Sequence, residues 1–199
     1  MTLLVDLQAS WANNVDRLLA AGLPDWRGHA LTPVIAQVLQ RTAHELDHDD
    51  VRMLSSFVAD LPRRFAAIGE CGLPDTLVHG DFHPGNFRGE GAAITLLDWG
   101  ESGVGHPLLD QSAFFERVPP AHLVAVREHW DSRWRASFPG ADPGRASQLL
   151  TPIAAARRAA VYQRFLDNIE PADHPYHRTD PADWLRQTAA LLRDHPTLT

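Results

Sequence analysis

Val78-His79-Gly80-Asp81-Phe82-His83-Pro84-Gly85-Asn86, then Leu96-Leu97-Asp98-Trp99-Gly100, then Gly103-Val104-Gly105-His106-Pro107-Leu108-Leu109-Asp110: on these residues the reading of this 199-residue chain turns. Asp81 is followed by Asn86 five residues on and by Asp98 twelve beyond that, all in turn-rich sequence. Asp81 stands at the end of a short β-like run, Thr76–His79, in a loop shaped by Gly and Pro. That place suits a carboxylate that orients an attacking hydroxyl or accepts its proton. Asn86 and Asp98 offer the neutral amide and charged carboxylate oxygens that a hard cation such as Mg²⁺ prefers. Taken singly, Asp81 and Asn86 would be read as caps of turns, a common role for both residue types. The ordered set reads as chemistry. Asn86-Phe87-Arg88, the turn Gly89-Glu90-Gly91 and Ala93–Leu97 form a hairpin pattern whose outer ends are Asn86 and Asp98.

Upstream, the periodicity is helical. Leu4, Leu7, Trp11, Val15, Leu18 and Leu19 lie on one face of a helix over 3–20. Thr32-Pro33 opens a second helix, with Thr as cap, Pro at the first helical position and Val34, Ile35, Val38 and Leu39 inward. Asp47 to Glu70 reads as a third, with Val51, Leu54, Val58, Leu61, Phe65 and Ile68 inside. Pro62 is expected to kink or split it, and Gly69 and Gly72 to end it. Downstream of Pro107, helices are expected over 108–118, 121–137, 146–170 and 181–193. The spacing of Trp130 and Trp134 makes them core residues. Arg157 and Arg158 are expected on the surface of an Ala-rich helical run.

The bulk numbers narrow the class. With 44% hydrophobic and 22% charged residues the chain is a globular protein able to bury a core. No apolar run approaches the roughly 20 residues of a membrane span, and the N-terminus lacks the basic start of a signal peptide. A net charge of −7 excludes nucleic acid as the main partner, because phosphate backbones need a basic footprint. The lone Cys71 leaves no internal disulfide, which fits a reducing cytoplasm, and its place at a helix end argues against catalysis. All 18 basic residues are Arg, so no Lys is present to hold nucleotide phosphates.

His79-Gly80-Asp81-Phe82-His83-Pro84-Gly85-Asn86 and Leu97-Asp98-Trp99-Gly100 resemble the catalytic and metal-binding motifs of the aminoglycoside phosphotransferase and choline kinase family, which shares the protein-kinase-like fold. Gly103–Asp110 is similar to its Gly-Asp-Pro-x-x-Asp segment, with His106 in place of the first Asp. The resemblance is strongest over about 73–118, and the helical flanks fit the family's larger C-terminal lobe. It implies an α+β, mainly helical fold: one domain over 1–199, a kinase-like C-terminal lobe whose small β-hairpin carries the catalytic and metal motifs. The implied reaction passes the γ-phosphate of ATP, or GTP, to the hydroxyl of a small substrate, with Mg²⁺ as cofactor. Asp81 would be the base and Asn86 and Asp98 the Mg²⁺ ligands. Gly100 would complete the turn after the metal ligand, and Asp110 would be a buried brace for the catalytic loop.

Three neighbours carry alternatives. His79 is read as a structural support of the loop. His83, two residues past the base, either reaches a transferring phosphate or faces solvent. On a straight strand His79, Asp81 and His83 would share a face and could bind Zn²⁺, but Gly80, Pro84 and Gly85 argue for a loop. In the C-terminal region, where family members commonly bind the acceptor, Asp167, Glu170 and Asp173 could receive amines of a cationic substrate; a solvated helix end competes. The main departure lies upstream. Family members carry a sheet-rich nucleotide lobe with a phosphate-covering loop and a Lys, whereas here 80 residues precede Asp81, read as helices and hold no Lys or Gly-rich loop. The chain therefore reads as the C-terminal lobe with the nucleotide lobe absent. An apolar rim near Asp98 and Trp99 is expected to be left for a partner lobe or for self-association. The rival reading is a non-catalytic binding or scaffold protein derived from that lobe.

Overall fold

The computed structural model describes residues 1–90 and 93–194. They form two compact units. The first comprises Met1–Arg27 and Ile68–Ser147; the second comprises Gly28–Ala67 and the described residues from Gln148 onward.

The first unit is built around a short antiparallel pair. β1 (Thr76–Val78) lies against the strand Gly103–Gly105, called β4 here because a hairpin intervenes, in the register Thr76↔Gly105, Leu77↔Val104 and Val78↔Gly103. Residues 24–26 run along the other edge of β4: Val104 N–H donates to Pro24 O at 2.8 Å and Trp26 N–H donates to Val104 O at 2.7 Å. Gly103 permits this, since a Cβ there would fall 2.2 Å from the Trp26 ring. The expected hairpin is present as β2 (Phe87–Glu90) and β3 (Ala93–Leu96), paired Phe87↔Leu96 to Glu90↔Ala93. Gly91, which completed the expected turn, lies outside the described residues.

The single helix expected over 3–20 is two: α1 (Thr2–Trp11) and α2 (Val15–Ala20). Asn13 and Asn14 separate them; short amide side chains compete with helical hydrogen bonding and favour such breaks. The apolar face nevertheless stays inward. Leu4 and Val5 are fully buried, and Leu18 joins Leu77 and Val104 in a cluster onto which Leu7, Trp11, Val15 and Trp99 pack. A second cluster is aromatic. Phe82, the buried residue after Asp81, stacks on Phe114 at 5.2 Å and meets Phe87 and Trp130 edge-on at 5.2 and 5.6 Å. Phe114 belongs to α5 (Gln111–Phe115) and Trp130 to α6 (Leu123–Ser137). Trp130 and Trp134 are core residues as their spacing predicts.

Most of the second unit is helical. α3 (Gly28–Thr42) begins four residues before the expected Thr32 cap, so Pro33 lies inside it. The Thr32 hydroxyl donates to Gly28 O at 2.7 Å within the helix instead of capping it. α4 (His48–Gly69) is one helix through Pro62, so the proline does not split it. Pro62 itself lies on the exposed face of the helix. α4 ends at Gly69, as expected. α7 (Pro143–Leu166) starts three residues earlier than expected and stops before Asp167; α8 (His174–His177) and α9 (Asp180–Asp194) follow. Arg157, expected on the surface, is buried among the alanines of α7. Arg158 is half-buried, its guanidinium 4.4 Å from the Trp184 ring centre. Among the described residues no helix is long and apolar enough to cross a membrane.

Candidate active site

The chain leaves β1 into residues 79–86, a loop whose backbone is held from below by one carboxylate. Asp110 is fully buried; it accepts the His79 N–H at 2.8 Å and the Gly80 N–H at 2.7 Å. The Gln8 amide, also fully buried, donates to Asp110 Oδ2 at 2.9 Å. Gln8 is itself tied at its backbone, where its carbonyl accepts from the Thr76 hydroxyl of β1. Gly80 has φ +95°, and a Cβ would sit 2.2 Å from Glu101 O, so only Gly lets the two backbones approach here. Sequence reading missed Gln8. Its one trace is a polar residue interrupting the apolar face of α1.

His79 stitches the loop to the segment carrying Asp98. Its Nδ1 accepts the Asp81 N–H at 3.3 Å, which leaves Nε2 to donate to Leu97 O at 2.9 Å. Its ring lies 4.5 Å from that of Trp99, whose Nε1 donates to Leu96 O at 3.1 Å. With both nitrogens engaged by backbone, His79 has no lone pair left for Zn²⁺. Among the described residues no group of three or more His, Cys, Asp or Glu gathers as a metal site.

Asp81 is the focus of the loop. His83 Nδ1 accepts the Gly85 N–H at 3.0 Å, so its Nε2 carries the proton, and Nε2 lies 3.2 Å from Asp81 Oδ2. His83 thus faces the carboxylate rather than solvent. The Asn86 amide nitrogen donates to Asp81 O at 2.9 Å and lies 3.4 Å from Oδ2. Both neighbours approach Oδ2, which leaves Oδ1 as the oxygen available to an incoming hydroxyl. The second metal-type residue is close by through the backbone: Leu97 N–H donates to Asn86 O at 2.9 Å, placing Asp98 beside Asn86 in the chain fold. Asp98 is exposed and has φ +63°, and it is the one non-Gly residue with positive φ among the described residues. Asp tolerates this conformation better than most residues, at some cost in strain. Gly100 follows without a side chain, its Cβ position 3.7 Å from Asp98 Oδ1. Beyond it Ser102 N–H donates to Trp99 O at 3.1 Å, closing the turn.

The donor chemistry here fits a hard cation. With its amide nitrogen turned to Asp81 O, Asn86 keeps its amide oxygen for a ligand, and Asp98 supplies a carboxylate. His106, where the family's first Asp would stand, is buried, and burial pulls its pKa down to about 3. The neutral ring accepts the Leu108 N–H on Nδ1 at 3.3 Å, capping the 3₁₀ turn Pro107–Asp110 that delivers Asp110. His106 is therefore a structural cap. Ile94 and Leu97 are large exposed apolar residues on and just after β3.

The acidic trio of the C-terminal region lies in the second unit and is not uniform. Arg41 grips both Asp167 oxygens at 2.9 and 2.8 Å, and this hydrogen bonding lowers the Asp167 pKa below the usual carboxylate value. Glu170 and Asp173 are exposed.

The chain matches the model of the Phosphotransferase enzyme family over residues 5–148 and belongs to that family. The match runs from α1, which carries Gln8, through the loop, the hairpin and Asp110. No curated protein matches the chain.

Proposed function

We propose that this chain is the catalytic lobe of a protein-kinase-like phosphotransferase that moves the γ-phosphate of ATP or GTP to a hydroxyl of a small molecule. The observation that carries the reading is Asp81 with Oδ2 held by His83 and Asn86 and Oδ1 open, one backbone hydrogen bond away from Asp98. Asp81 would orient and deprotonate the hydroxyl from Oδ1. His83 acts as its positioning residue: Nε2, 3.2 Å from Oδ2, steadies the orientation of the carboxylate. Asn86 and Asp98 would hold Mg²⁺, which neutralises charge on the nucleotide phosphates. Asp110, His79 and Gln8 keep the loop at fixed height against Leu97. For the acceptor, Glu170 and Asp173 are the better candidates of the acidic trio for an amine, since Asp167 is already paired with Arg41. The lobe would work in the cytoplasm as one domain of a larger enzyme, its missing Lys and phosphate-covering loop supplied by a nucleotide lobe packed over Ile94 and Leu97.

The scaffold reading has one feature in its favour, the absence of any Lys from the sequence. The two readings part on the metal. Paramagnetic Mn²⁺, titrated into the isotope-labelled chain at millimolar concentration, should broaden the resonances around residues 81, 86 and 98 first. Asp98→Ala should abolish that broadening while leaving the spectrum of the rest of the chain in place. Broadening that ignores this loop, or survives Asp98→Ala, would remove the metal assignment and leave the scaffold.

A further inference from the structure

The second unit contains a cavity of about 640 Å³ between one face of α4 and the end of α9. Its volume is in the range that takes a small organic ligand. Met53, Phe57 and Leu192 give it an apolar floor, of which Phe57 and Leu192 are buried. Arg64 also lines it and is unusual among the arginines, with a side chain only 6 % exposed. Its guanidinium carbon lies 5.1 Å from the Phe57 ring centre, so the charged plane rests against the aromatic floor.

The charges around Arg64 are unevenly satisfied. Asp60 is the nearest carboxylate, but Arg63 already takes both its oxygens, through Nε at 2.6 Å and a terminal nitrogen at 2.9 Å. Arg64 approaches Asp60 through Nε, at 3.1 Å and without hydrogen-bond alignment. Its two terminal nitrogens make no hydrogen bond to the described residues. The other cations at the cavity are taken up locally: Arg52 pairs with Asp49 and Arg193 with Asp50. Burial accordingly pulls the Arg64 pKa below the usual arginine value, with Asp60 offsetting only part of it. A buried guanidinium that presents its planar fork without an acceptor matches an oxyanion, which it can hold by two parallel hydrogen bonds.

We propose that this cavity binds a small organic anion whose carboxylate or phosphate lies on the Arg64 fork and whose apolar body covers Phe57, Met53 and Leu192. No residue of the catalytic loop contributes to it, and it stands independently of the phosphotransferase reading.

Four probes titrated into the isotope-labelled 199-residue chain test this: benzoate, phenyl phosphate, inorganic phosphate and benzyl alcohol. The expected result is saturable shifts of α4 and α9 amides with benzoate or phenyl phosphate at millimolar concentration, the tighter of the two naming the head group. Inorganic phosphate, which has no body, and benzyl alcohol, which has no charge, should each bind at least about tenfold more weakly. Arg64→Gln should weaken the better probe by about tenfold or more. Should that variant fail to fold, Ser56→Trp decides: position 56 is exposed on the helix face lining the cavity, and an indole there fills it. Failure of both organic anions to saturate below about 20 mM, equal binding of inorganic phosphate, or binding undiminished by Ser56→Trp would overturn the proposal.

Discussion

His106 shows how a buried titratable residue can serve the fold as a cap. A buried neutral imidazole stands where the resemblance expects a carboxylate, and it caps the turn that delivers Asp110. The folded pKa of about 3 lies below the ~6.5 of an unfolded His. Between those values the unfolded chain takes up the proton and the folded chain does not. The stability linked to His106 is therefore whole above about pH 6.5 and is lost as pH falls toward 3, by at most ~1.4 kcal/mol per pH unit. His106→Asn keeps an acceptor for the Leu108 N–H and does not titrate. Urea midpoints at pH 7 and pH 4.5 should differ less for His106→Asn than for the parent chain. Equal differences would mean that His106 is protonated in the fold.

At the scale of elements, the loop 79–86 is fixed by its supports. Motif order and hairpin pattern both point to Asp81, Asn86 and Asp98 as candidates, and local sequence dictates both. The supports came from elsewhere in the chain. Gln8 on α1 lies 102 residues from Asp110, and no local pattern announces such a pair. The segment 24–26 pairs with β4 because of a steric vacancy at Gly103 that becomes visible only once Trp26 is in place. Helix boundaries failed where proline was read as a boundary: Pro33 and Pro62 both lie inside helices, because tertiary packing outweighs the hydrogen bond each removes. The Gln8 tie can be tested directly. Gln8→Leu removes a hydrogen bond to a buried carboxylate and should cost about 1.5–3 kcal/mol in urea unfolding. It should also speed hydrogen exchange at the His79 and Gly80 amides more than at α9 amides. A chain of unchanged stability, with those two amides still protected, would show that Asp110 holds the loop without Gln8.

For the whole molecule, the proposed function implies a lobe that carries catalytic groups but is poor at holding a nucleotide. On that proposal Asp81, Asn86 and Asp98 would supply a base and metal ligands. The 199 residues contain no Lys, and Ile94 and Leu97 are exposed beside the metal-type pair. Two ligands alone would hold a strongly hydrated Mg²⁺ weakly, and the sequence has no Lys to grip the phosphates. The most direct measurement is phosphoryl transfer from MgATP, assayed against a panel of hydroxyl-bearing small molecules, with the chain alone and with a family nucleotide lobe fused to it or added in trans. The chain alone should show no MgATP binding by calorimetry at micromolar concentration and no transfer. The completed protein should do both, and Asp81→Ala should lower its turnover by at least ~10²-fold, the loss expected of a missing base. Tight MgATP binding by the chain on its own, or undiminished transfer by Asp81→Ala in the completed protein, would contradict the account.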